Sequence, residues 1–174
     1  MCAVRVYLPA TLPGLAAAGL GPGVAASAQA LIEVTTTGTS GCAVTPALRE
    51  WYREGDLDEL EYAAMTRAAL ASLRLLAAGG GDRRVVLAAD VPDDMVVLDP
   101  GLDPAAVIVM GPVRLDQVVS AHVDDASAAT DVARAAELVE AADAGDQDAQ
   151  FTVDGLDDHE LQWYDAAEIR FLLG

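Results

Sequence analysis

Residues 56 to 89 read DLDELEYAAMTRAALASLRLLAAGGGDRRVVLAA: a long helix, a glycine stop and a buried strand. Asp56 and Glu59 stand three apart, the spacing of a capping box with Asp in the Ser/Thr role. From Leu57 to Ala78, the residues Leu57, Leu60, Ala64, Ala68, Ala71 and Leu75 keep helical spacing, which predicts one buried face. Gly79-Gly80-Gly81 ends the helix. Arg84 to Ala89 then runs without polar alternation, as a central strand covered on both faces would.

Working toward the N-terminus, Thr45-Pro46 reads as a helix start, because Thr caps and Pro at the first position gives up no hydrogen bond. That helix covers Ala47 to Glu54 and stops at Gly55. Cys42 to Val44 reads as a short buried strand, and Ala3 to Leu8 alternates as a strand with one buried face. Thr11 caps a short helix that runs through Leu15 to Ala18. Between them, Val24 to Leu31 reads as a second short helix, Ile32 to Thr37 as a strand and Thr37 to Gly41 as a loop. Toward the C-terminus, Asp90 to Pro104 reads as loop, Ala106 to Met110 and Ser120 to Asp124 as strands, and Ala126 to Ala144 as an Ala-rich helix. Phe151 to Val153 reads as a short extended piece, Glu160 to Tyr164 as the last strand, and Ala166 to Leu173 as a helix capped by Asp165.

This order, with short strands and segregated helices, predicts an α+β protein. Its expected form is one mixed β-sheet covered by helices, a two-layer sandwich of ferredoxin-like type. A doubly wound α/β fold is the alternative. Residues 1–174 read as a single domain with a flexible Gly/Ala-rich segment around 19–41.

Charge narrows the possible partners. The chain has 174 residues, 28 Asp and Glu against 10 basic residues, all arginine, and a net charge of −18. Met1 to Gly55 is neutral, whereas Ala121 to the C-terminus carries fourteen acidic and two basic residues. Such a field repels nucleic-acid phosphates and anionic lipid headgroups, so neither is an expected partner. Arg83-Arg84 reads as a solvated strand edge. Two cysteines, Cys2 and Cys42, make no disulfide framework, and no zinc-ligand spacing appears. No signal peptide or membrane span is legible, which points to a cytoplasmic protein.

No phosphate loop or nucleophile elbow is present. The two histidines both sit among carboxylates. His122 and Asp124, two apart on a strand, share a face. His159 is followed by Glu160. If the two segments met, His122, Asp124, His159 and Glu160 could hold Zn, Mn or Fe, or work as an acid-base set. Otherwise no cofactor is implied. The aromatic residues read as core fillers of an Ala-rich protein. Where exposed, Arg49, Trp51 and Arg53 on one helix, with Asp157, Asp158 and Trp163 near the C-terminus, would form a partner surface.

Seven segments carry a resemblance. They are V-Y-L-P-A-T (6–11), A-V-T-P-A-L-R-E-W-Y (43–52), L-E-Y-A-A (60–64) with A-S-L-R-L-L (71–76), R-R-V-V-L-A-A-D-V-P (83–92), A-H-V-D-D-A (121–126) and A-Q-F-T-V-D-G-L-D-D-H-E-L-Q-W-Y (149–164). Together the chain resembles a family of uncharacterised actinobacterial proteins. The resemblance implies a small cytoplasmic single-domain protein and transfers no activity, cofactor or catalytic residue. The expected function is therefore a non-enzymatic acidic module that binds a protein with a basic surface. A small metal-dependent or acid-base enzyme and a nucleic-acid mimic are the alternatives.

Overall fold

The computed structural model describes residues 2–20, 31–32, 38–79 and 81–174. Their elements, in chain order, are β1 (Ala3–Ala10), α1 (Leu12–Leu15), β2 (Leu31–Ile32), β3 (Thr39–Ala43), α2 (Pro46–Trp51), α3 (Leu57–Ala77), β4 (Val85–Pro92), β5 (Val96–Leu98), β6 (Ala106–Val109), β7 (Val113–Arg114), β8 (Val118–Asp124), α4 (Ala129–Asp143), α5 (Gln147–Asp154), β9 (Leu161–Asp165) and α6 (Ile169–Leu172). Seven strands form one sheet in the order β5-β6-β3-β1-β4-β8-β9, and β2 pairs with β7 apart from it.

The protein is α+β. Every neighbouring pair in the sheet is antiparallel, so the sheet is not the mixed one expected. The doubly wound alternative, which needs parallel neighbours, is thereby excluded. β3 and β4 run parallel to each other but lie on opposite sides of β1, joined through α2 and α3. This split crossover is the ferredoxin-like feature of the topology.

The central strand shows why its sequence does not alternate. Val85, Leu87, Ala89 and Val91 of β4 enter one core with Val6, Leu8, Val107 and Val109. Val86 and Ala88 enter another, with Tyr7, Leu48, Leu60, Ala64 and Ala68, under α3. Each fully buried Val or Leu contributes roughly 1.5–3 kcal/mol. A third core lies between helices, where Leu73 and Leu76 of α3 meet Val132, Val139 and Val153 of α4 and α5.

Helix α3 forms where its sequence predicts it. Asp56 accepts the Glu59 N–H at 2.9 Å and Glu59 accepts the Asp56 N–H at 3.1 Å, closing the capping box. Its buried stripe differs from the expected one. Leu60, Ala64 and Ala68 are buried, but Leu57 is 53% and Leu75 45% exposed, and Ser72, Leu73 and Leu76 are buried instead. The second layer of α4 and α5 turns the C-terminal half of the stripe toward itself. Ser72 pins the helix to the sheet. Its hydroxyl donates to the Ala10 carbonyl at 2.7 Å and accepts the Val85 N–H at 3.0 Å. At α2, Thr45 caps Leu48 as expected and also donates to the Pro104 carbonyl.

Three local readings are corrected. Thr39–Gly41 belongs to β3, because its residues pair with β6. Within Asp90–Pro104, read as loop, Asp90–Pro92 continues β4 in register with β1, and Val96–Leu98 is the edge strand β5. Phe151–Val153 is helical, within α5, because Asp146 caps Ala149 and the pair Ala149 and Val153 buries one helical face. Of the helix expected over 24–31 and the strand over 32–37, only Leu31 and Ile32 are described, as β2. The rest, like most of the 19–41 segment, lies outside the described residues. Among the described residues no helix is long and apolar enough to cross a membrane.

Candidate functional site

The antiparallel register settles where the histidine-carboxylate residues go. His122 and Asp124 share a face of β8, as alternation requires. Asp124 is fully buried and already engaged. It accepts Nε and Nη2 of Arg84, both at 2.9 Å, and the Arg84 backbone N–H at 2.7 Å. Arg84 also donates to the carbonyl of His159 at 3.2 Å, and Arg83 donates to the carbonyl of Asp124 at 2.8 Å. Arg84 is thus not the solvated strand edge its sequence suggests. It is 7% exposed and ties β4, β8 and the turn before β9 together.

His122 meets Ser120, with Nε2 and Oγ 3.2 Å apart. Burial, and secondarily the Arg5 guanidinium, pushes its pKa below the usual histidine value, which favours the neutral ring. The His159 ring turns to Asp131 of α4, at 2.9 Å. Glu160 is exposed. The expected four-residue set therefore does not assemble. Among the described residues no group of three or more His, Cys, Asp or Glu side chains is placed to hold a metal ion.

The aromatic residues correct the core-filler reading. Trp51 is 69%, Tyr62 59% and Trp163 61% exposed. The cores are closed by Val, Leu and Ala, which leaves most large rings outside. Only Tyr7 is buried, and Tyr164 packs partly against the first core. Trp163 and Tyr164 do point to opposite sides of β9, as neighbours on a strand must.

Of the residues expected to form a partner surface, Arg53 and Asp157 line hollows on either side of the exposed ridge of α3. Tyr62 and Thr66 line two hollows at once. One continues to Tyr52 and Arg53 past the end of α2 and to Glu54, Asp58 and Glu59. The other continues to Asp157, His159, Glu160 and Leu161 before and within β9. Arg49, Trp51, Asp158 and Trp163 are exposed but stand outside both linings. Six carboxylates line the two hollows against three guanidiniums; Arg67 pairs with one of the six, Asp103, and Arg84 with Asp124 outside the linings, which leaves five carboxylates against Arg53.

Several residues of this region were silent in the sequence. Arg67 and Arg74 lie seven apart on α3, and that spacing is the only sign of them. Their partners, Asp103 and Asp143, come from distant segments. Arg74 donates Nε and Nη2 to Asp143 at 2.8 and 2.9 Å. That contact holds the Asp143 carboxyl below the usual carboxylate range. Cys42 is buried as expected, and burial pushes its thiol up to about 11.

Fold and surface together define an acidic α+β protein with a widened antiparallel sheet and a carboxylate-rich face on its principal helix. The chain belongs to a family of unknown function, DUF6912, whose model matches residues 4–173. No curated protein and no solved structure matches it.

Proposed function

We propose that this protein is a non-catalytic binding module whose partner is a basic protein segment laid across the exposed ridge of α3. One observation carries the reading: Tyr62 and Thr66 line both hollows, so carboxylates from the turn before α3 and from the segment before β9 converge on one aromatic ridge. Lys and Arg side chains meet carboxylates there, and a tyrosine face attracts a cation further. The surplus of carboxylates sets the sign of the partner's charge.

The test is titration of the protein with a labelled Lys- and Arg-containing peptide interspersed with leucines, by fluorescence anisotropy at low and high salt. Binding should weaken as salt screens the contacts. Tyr62→Ser, at an exposed position that leaves the core intact, should weaken it about tenfold, which corresponds to about 1.4 kcal/mol. Phe171→Ser, 72% exposed and outside both linings, should leave it unchanged. Equal loss in both variants, or none in either, would reduce the attraction to the general field of an acidic protein and defeat the proposal.

A further inference from the structure

A separate cavity lies on the other flank of α3, over β3 and β6. The sheet is wider there than the helix above it, and Val97 of β5, on the same sheet face, stays 48% exposed. The cavity measures about 510 Å³, within the range of about 300–1,000 Å³ typical of small-molecule sites. It exists because the facing positions are small. Ala71 of α3 and Ala106 of β6 line it with Cys42, and Leu70 adds an apolar wall.

Its polar lining consists of Ser40 and two ion pairs, Arg67 with Asp103 and Arg74 with Asp143. Arg67 and Arg74 lie two helical turns apart, roughly 10 Å along the axis at 1.5 Å per residue, and both line the cavity. Arg74 spends Nε and Nη2 on Asp143. Arg67 gives Nη1 to Asp103, whose other oxygen accepts the Ala105 N–H at 2.8 Å. A guanidinium carries five N–H donors. Among the described residues, Arg67 therefore keeps donors beyond its one ion pair, beside an apolar trough.

Arg67 calls for an acceptor, and the trough calls for hydrocarbon. The net charge of −18 works against phosphates and other polyanions. We propose that this cavity binds an apolar monocarboxylate, with its hydrocarbon on Leu70, Ala71 and Ala106 and its carboxylate on the spare N–H donors of Arg67.

The probe is decanoate, kept below its micellar concentration and titrated into the full chain by calorimetry. Decyltrimethylammonium, with the same tail and the opposite head, is the comparison. Decanoate should bind saturably at one site and at least tenfold more tightly than the cation. Arg67→Gln should weaken it about tenfold. Ala71→Phe should fill the cavity and abolish binding. Leu102→Asp should weaken binding while leaving the fold intact, since Leu102 lines the cavity yet is 73% exposed. Absence of saturable decanoate binding, equal binding of the cation, or decanoate binding unchanged in both Ala71→Phe and Leu102→Asp would each overturn the proposal.

Discussion

The two flanks of α3 use the same Arg–Asp chemistry to opposite ends. Toward β8 and β9, Arg84 and Asp124 are shut in, with side chains 8% and 0% exposed, and their donors and acceptors are spent on β4, β8 and the turn before β9. Toward β3 and β6, Arg67–Asp103 and Arg74–Asp143 stand at a cavity, and the second pair is nearly half exposed on each side. The difference teaches what burial does to an ion pair. Away from water, the pair is obligatory because losing either partner leaves the other's charge buried without a counter-charge. Beside water, the same pair is exchangeable, so its groups remain available to a ligand.

The contrast is open to measurement, most strongly at its buried end. Asp124→Ala leaves the Arg84 guanidinium buried without its carboxylate, at an expected cost of about 3–5 kcal/mol in urea unfolding at neutral pH. A cost below about 1 kcal/mol would show that the buried pair is not a fastener.

A middle-sized effect belongs to Cys42, beneath the cavity. Burial raises its thiol from an ordinary 9.0 to about 11, with the Asp103 carboxylate adding to the shift and Arg67 opposing it. The unfolded chain thus releases this proton at lower pH than the folded one. The contribution is fully present below pH 9 and is lost as pH rises toward 11, by about 2–3 kcal/mol. Comparing urea midpoints at neutral and alkaline pH, Cys42→Ala should lose less stability than the parent across that window. Equal alkaline losses would mean that the floor of the cavity is wet.

The smallest effect is expected at the rim. Arg74→Ala removes a pair whose side chains are 47% and 46% exposed, and should cost less than about 1 kcal/mol in the same unfolding experiment. A loss above about 2 kcal/mol would make this pair a fastener too and erase the contrast.

Legibility in the sequence followed the range of the interactions. The capping box at Asp56 and Glu59, the Thr45 cap and the doubly covered run of β4 are local patterns, and each formed where its residues stand. Phe151–Val153 reads as extended in the sequence because three residues carry too little periodicity to reveal the helix that Asp146 starts. The metal set failed for a different reason. His122 and Asp124 do share a face, but Asp124 is claimed by Arg84, forty residues away. Nothing near Asp124 in sequence announces that partner.

By itself, then, the sequence determined the class α+β, the long helix with its cap, the central strand and the acidic field, because periodicity, capping and charge act over a few residues or depend only on composition. Tertiary structure alone decided which carboxylate meets which arginine, which rings stay in water, and that Tyr62 joins two distant segments on one face. Those outcomes depend on strand order and on the breadth of the sheet relative to the helices above it. Both are set by packing between residues far apart in the chain, where no local pattern records the choice.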